Sequence, residues 1–160
     1  PPFAAITGYP IAIRSSRHAL GTLSVRTELP ADLPLVEFDA SLTERVLVNL
    51  LENAAKYGVK HPHAEPAIVI SARVTDNTLV VSVRDFGPGL PHLVKGQEDE
   101  LFAKFTRGHH ESSTRGVGLG LAICKAIMDA HRGKIVAAQA AGSGAEFTFT
   151  LPRHPPPQMP

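Results

Sequence analysis

VLVNLLENAAKYG, residues 46–58, is the stretch on which the reading of the chain turns. Leu47, Leu50, Leu51 and Ala54 recur at helical spacing and form an apolar stripe. At about 100° per residue, Asn49, Asn53 and Lys56 fall within a separate narrow arc. Asparagine is a mediocre helix former because its amide competes for nearby backbone groups. Two of them one turn apart, beside a lysine, call for a reason. Carboxamide oxygens are hard, neutral ligands that suit Mg²⁺, which keeps waters and phosphate oxygens as its other ligands. A lysine suits phosphate. Taken alone, the trio is better read as a solvated polar face. Glu52, adjacent to Asn53, is expected to point elsewhere on the helix.

Around this helix, expected from about Leu42 to Tyr57 with Gly58 as its stop, the chain mixes strands and helices. Asp39 or Ser41 is the expected N-cap. Residues 22–29, 67–74, 78–86, 134–140 and 145–152 read as strands, the second and third joined by a hairpin at Thr75-Asp76-Asn77. A second long helix follows residue 117, with an apolar stripe at Leu119, Ile123, Ala126, Ile127 and Ala130 and an end at Arg132-Gly133. The expected fold is therefore an α/β two-layer sandwich, a mixed and mostly antiparallel sheet with about three helices on one face. The organisation expected is an N-terminal extension or linker remnant over residues 1–21, one domain over 22–152, and a Pro-rich disordered tail over 153–160.

Composition narrows the classes. The 160 residues are 43% hydrophobic and 19% charged, as in a globular domain with its own core. A net charge of +1 gives no field that points to nucleic acid or an anionic membrane. One cysteine, Cys124, excludes an internal disulfide framework and reads as a small core residue. No apolar run reaches membrane-span length, and no secretory signal opens the chain. The pairs His61/His63 and His109/His110 lack a third ligand at metal spacing and read as loop residues.

Two further segments carry chemistry. In RDFGPGLP, residues 84–91, Asp85 ends an apolar strand and meets Gly87 and Gly89. A carboxylate there can accept a hydrogen bond from an exocyclic amine, while the glycines let backbone approach a flat ligand. An ordinary strand-end turn would look similar. In RGVGLGLAI, residues 115–123, Gly116, Gly118 and Gly120 open into a helix. Bare amides and the helix dipole favour a phosphate chain at such a start. It lacks the Gly-Lys-Ser/Thr of a P-loop, and a flexible hinge has the same composition. The segment from about 87 to 117 is long and aperiodic, as functional loops are.

Singly these signals are weak; in one order within one span they are specific. The sequence resembles the ATP-binding domain of sensor histidine kinases, within the Bergerat-type superfamily shared with type II topoisomerases, the ninety-kilodalton heat-shock chaperone and mismatch-repair ATPases. NLLENAAKY (49–57) is similar to the family's N box, DFGPG (85–89) to its first glycine box, LFAKFTRG (101–108) to its F box and GVGLGLAI (116–123) to its second glycine box. GSGAEFTFTLP (142–152) resembles the closing glycine box and last strand, with Ala145 where many members carry Ser or Thr. The run from Arg107 to Ile135 looks most like the Kdp-type, potassium-responsive sensor kinases.

The resemblance implies ATP and Mg²⁺ as cofactors and a protein-histidine kinase activity. It implies that Asp85 binds the adenine amino group in a pocket shaped by Gly87 and Gly89. Asn53 would hold Mg²⁺ with help from Asn49, which also positions the transferred phosphoryl; Lys56 and Tyr57 would contact phosphate or ribose. Residues 91–116 would form a mobile ATP lid packed by Phe102 and Phe105, from which Lys104 or Arg107 reaches the γ-phosphate. Gly116, Val117, Gly118, Leu119 and Gly120 would cradle the phosphates. The superfamily's hydrolases use a glutamate one turn before the metal asparagine; Asn49 stands there, which favours transfer to histidine over hydrolysis. His18 is the sole upstream histidine and lacks a following acid. The implied partners are therefore a histidine-bearing dimerisation domain outside this chain and a response regulator. The expected setting is the cytoplasmic side of an inner-membrane sensor in potassium or osmotic signalling, with the isolated domain monomeric. A related ATPase and a nonenzymatic nucleotide-binding module of the same fold are the competing readings.

Overall fold

The computed structural model of the chain describes residues 17–30, 40–90, 100–103 and 115–152, without the side chains at 40, 100, 103 and 115–119. In order, it contains α1 (Arg17–Leu20), β1 (Val25–Glu28), α2 (Ala40–Tyr57), β2 (Ile68–Thr75), β3 (Thr78–Asp85), α3 (Glu100–Ala103), α4 (Arg115–Ala130), β4 (Lys134–Gln139) and β5 (Ala145–Pro152).

The five strands form one sheet in the order β1-β2-β3-β5-β4. Only β1 and β2 run parallel; the other neighbours are antiparallel. The β2–β3 hairpin closes on Thr75 opposite Thr78, with Asp76 left-handed at φ 52°. Asp tolerates that conformation better than most residues do. Side chains alternate across the pleat, so Leu79, Val81, Val83 and Asp85 of β3 share a face with Phe147, Phe149 and Leu151 of β5. All seven are buried. Asp85 thus occupies a position that the strand period reserves for a core residue. On the opposite face Ser82 and Thr148, paired in the register, share a 2.9 Å hydroxyl hydrogen bond.

The buried face is covered by α2 and α4. From α2 come Val46, Leu47, Leu50, Leu51 and Ala54, the stripe read from the sequence with one more member. From α4 come Leu121, Cys124, Ile127 and Met128. The expected α4 stripe differs: Ala126 and Ala130 are exposed and Ile123 is half-buried. This helix carries small and branched apolar residues almost all round, so periodicity alone does not choose its inner face. Cys124 is fully buried, and burial pushes its thiol up to about 12, as expected of an inert packing residue. Phe102 of α3 is buried edge-on against Phe147, ring centres 6.3 Å apart. Residues 17–20, expected to lie in a linker remnant, form α1, and Leu20 joins the core. Among the described residues no helix is long and apolar enough to cross a membrane.

Candidate functional site

Asp85, at the C-terminal end of β3, is 4% exposed. Its Oδ1 accepts two backbone hydrogen bonds, from Gly87 N at 3.1 Å and from Ala145 N at 3.0 Å. Burial raises its pKa; those two bonds and the neighbouring Arg84 charge pull the other way, and burial wins. Three glycines make room for it. A Cβ on Gly58 would overlap the Asp85 carboxylate, and one on Gly87 would overlap the Gly58 carbonyl. A Cβ on Gly144 would strike the Asp85 backbone, and Gly144 has φ +93°. Gly58, expected only as the stop of α2, continues that helix's hydrogen-bond ladder to Ala54 O at 2.8 Å and has no positive φ. Its lack of a side chain serves Asp85.

Two side chains hold the surrounding turns. Arg84 Nη2 donates to Ala141 O at 2.7 Å and to Ser143 O at 3.3 Å, and its guanidinium carbon lies 4.4 Å from the centre of the Phe86 ring. Adjacent residues thus grip the same 141–145 turn, Asp85 through an amide and Arg84 through carbonyls. Gln139 of β4 accepts from Leu90 N at 3.1 Å and donates from Nε2 to Leu90 O at 3.2 Å. Its amide imitates a paired strand residue and ties the first glycine turn to the sheet edge. Gly89, at φ +89°, lies where a Cβ would collide with Gln139 Oε1.

Along α2, running up to the Gly58 that abuts Asp85, an open cleft is lined by Asn49, Glu52, Asn53, Lys56, Tyr57, Gly120 and Leu121. Positions 49, 52, 53 and 56 form an i, i+3, i+4, i+7 stripe, which corrects the expectation that Glu52 points away. Asn53 Oδ1 is buried without a hydrogen-bond partner. Gly120 brings α4 against α2: a Cβ there would sit 3.3 Å from Asn49 Oδ1. The cleft and the Asp85 pocket meet at consecutive residues, since Tyr57 lines one and Gly58 abuts the other. Among the described residues no group of three or more His, Cys, Asp or Glu side chains is placed to hold a metal. A buried amide oxygen left without a donor fits a hard cation with phosphate and water as its remaining ligands.

The structure therefore brings together Asn49, Asn53, Lys56, Tyr57 and Gly120 in one place and Asp85, Gly87 and Gly89 in another. Gly116, Val117, Gly118 and Leu119 lie in the opening turns of α4, whose first amides have no partner inside the helix. Lys104, Phe105 and Arg107, and most of the expected lid, lie outside the described residues. The sequence reading missed Gly58, Arg84, Gln139 and the direction of Glu52. For Glu52 the signal was present, because 49, 52, 53 and 56 are helical neighbours. For Gln139, whose partner is 49 residues away, there was none.

This arrangement of sheet and helices is that of a known class. A family model described as the histidine kinase-, DNA gyrase B- and HSP90-like ATPase matches residues 38–155, and the chain belongs to this family. Within it, the chain is 47% identical over 135 residues to the sensor protein KdpD of Escherichia coli K12, covering 84% of this chain and 14% of that protein. The catalytic domain of the histidine kinase ThkA superposes with a TM-score of 0.67 at 25% identity, covering 94% of this chain and 90% of that one. Full-length ShkA, solved in complex with AMPPNP, superposes with a TM-score of 0.70 at 25% identity, covering 96% of this chain and 31% of that one. The chain is thus a histidine kinase-type catalytic domain, and it spans only a small part of the curated sensor it matches.

Proposed function

We propose that this domain binds ATP with Mg²⁺ and transfers the γ-phosphoryl to a histidine on a dimerisation domain outside residues 1–160. The observation that carries this reading is the junction at Tyr57-Gly58, where a buried carboxylate and an open amide-lined cleft meet within one nucleotide's reach.

Asp85 recognises the adenine. Its Oδ1 is committed to the backbone, which leaves Oδ2, beside Gly58, to accept from the exocyclic amine. Gly87 and Gly89 form the wall against which the base lies. Tyr57, 41% exposed at the cleft rim, contacts ribose or phosphate, and Lys56 donates to phosphate oxygens. Asn53, with Asn49, holds the cation, which when bound supplies charge neutralisation across the phosphates. Asn49 also positions the transferred phosphoryl. The opening turns of α4, from Gly116 to Gly120, supply amides to the phosphate chain, and Lys104 or Arg107 reaches the γ-phosphate. The protein's contribution is positioning and electrostatics, which is what phosphoryl transfer requires. The likeness to KdpD supports a sensor that answers potassium or osmotic conditions, with a response regulator downstream and this domain on the cytoplasmic side.

The test is calorimetric titration of AMPPNP with MgCl₂ into the wild-type chain and Asp85→Asn, followed by phosphotransfer from ATP to an added dimerisation domain. Binding that Asp85→Asn loses, with transfer to histidine, supports the reading. Equal binding by both forms would remove Asp85 from the adenine site. Wild type that binds nucleotide but passes no phosphoryl to the added histidine would leave a nucleotide-binding module.

A further inference from the structure

The polar stripe on α2 contains one side chain whose part the reading above leaves open. Glu52 lines the cleft together with Asn49, Asn53 and Lys56. Among the cleft-lining residues it is the one carboxylate. Among the described residues Glu52 and Lys56 form no hydrogen bond or ion pair with protein, although an i, i+4 spacing would permit their pairing. Glu52 is half-buried, so a carboxylate is kept at the wall of the cleft without an ion pair to a protein cation, Lys56 included.

That placement is costly for a site that takes only an anion. A nucleotide's phosphates and Glu52 repel each other in a partly desolvated cleft, where charges interact more strongly than in water. It becomes favourable once a divalent cation sits between them. Neutral amide oxygens alone hold Mg²⁺ weakly, and Mg²⁺ sites are usually completed by one or two carboxylates together with substrate phosphates. The orphaned Asn53 Oδ1 already marks the cation's side of the cleft, and Glu52 is its sequence neighbour on the same stripe.

Resting on the nucleotide-binding reading above, we infer that Glu52 is the carboxylate that makes nucleotide binding by this cleft depend on a divalent cation, acting on the cation directly or through its bound water. Glu52 accordingly rejects the metal-free nucleotide and accepts the metal complex. A helix-pairing role with Lys56 would give no such discrimination.

The experiment titrates AMPPNP into the full chain twice, once in EDTA and once in excess MgCl₂, for wild type, Glu52→Gln and Glu52→Asp, with Mn²⁺ electron paramagnetic resonance as a direct count of bound cation. Outer ligands of metal sites are worth roughly 10- to 100-fold in metal affinity. The gain in nucleotide affinity on adding MgCl₂ is expected to shrink by about tenfold or more in Glu52→Gln. Its affinity in EDTA should equal or exceed that of wild type, and its Mn²⁺ signal should need correspondingly more metal. Glu52→Asp should recover part of the gain. A Glu52→Gln protein that keeps the full MgCl₂ gain, or that weakens equally in EDTA and MgCl₂, would overturn the inference. Wild type that binds AMPPNP under neither condition would instead overturn the nucleotide-binding reading, so the two failures are distinct.

Discussion

The two halves of the site are built on opposite principles. Around Asp85 the protein supplies two backbone hydrogen bonds to Oδ1, three glycines are required by contact, and Arg84 and Gln139 clamp the flanking turns. Around Asn53 the protein leaves an acceptor orphaned and an open cleft beside it. A base is a flat ligand of fixed shape, and a rigid pocket recognises it without paying to order itself. Phosphates and a hydrated cation bring their own donors and acceptors, so a site for them is finished by its ligands. The contrast predicts that changes to the packing of the closed half, its glycines and clamps, damage the fold, whereas changes in the open half damage binding alone.

The largest effect should come from Gly144→Ala. At φ +93° a side chain is strained, and here its Cβ also meets the Asp85 backbone. Strain and overpacking together should cost roughly 2–5 kcal/mol in urea unfolding. Gly142 is the internal control: its φ is +89°, but a Cβ there meets nothing within 4 Å. Gly142→Ala should therefore show only the strain, and the difference between the two measures the close approach to Asp85. Equal losses would mean that the tight contact carries no weight.

Asp85→Asn comes next. The amide oxygen can still accept from Gly87 and Ala145, but the atom offered to the base becomes a donor. Losing one charge-assisted hydrogen bond should weaken AMPPNP binding by roughly 1.5–3 kcal/mol, tenfold or more. The pH dependence separates fold from binding. Burial raises the Asp85 pKa above its ordinary value, so its favourable contribution to folding is complete below that ordinary value and is lost as pH rises through the folded-state pKa. Nucleotide recognition needs the carboxylate and should strengthen over that same rise. In Asp85→Asn both slopes should vanish, and its melting temperature at pH 7 should be no lower than that of wild type. Melting and titration across weakly acidic pH check both signs.

Gln139→Ala should be milder. Both of its hydrogen bonds to Leu90 are exposed to solvent, so their removal should lower stability by about 0.5–1.5 kcal/mol in urea unfolding. Gln139→Glu keeps an acceptor for Leu90 N but loses the Nε2 donor, and it should fall between the two.

The same contrast explains what the sequence made legible. Helix α2 and the β2–β3 hairpin were readable because their patterns are local: an apolar stripe at one spacing, alternation at another, a turn between them. Asp85 was readable for another local reason, as an acid that ends an apolar strand directly before two glycines. The inner face of α4 was not, since Leu121 and Ile123 are equally apolar and only the sheet decides between them. Gly58 was given the right place and the wrong reason, because a helix-ending glycine and a glycine pressed by a distant carboxylate look alike in one dimension. The grips of Arg84 and Gln139 join residues 57 and 49 positions apart, and no local pattern encodes them. Glu52 is different: its helical position was computable, and it was misplaced only because adjacency in sequence was taken for divergence in space.

The smallest predicted change is the one that separates the two halves most cleanly. In an ordinary core, replacing a partly buried asparagine by alanine removes hydrogen bonds and destabilises. At Asn53 the buried oxygen has no bond to lose. Alanine removes an unsatisfied acceptor from the protein and is the better helix former by roughly 0.5–0.7 kcal/mol. Asn53→Ala should therefore raise stability slightly, by about 0.5 kcal/mol in urea unfolding, while the gain in AMPPNP affinity on adding MgCl₂ disappears. A protein that is more stable and binds worse is the expected signature of a residue held in place for a ligand. If Asn53→Ala destabilises like Gly144→Ala, the cleft is part of the closed scaffold and the contrast between the two halves fails.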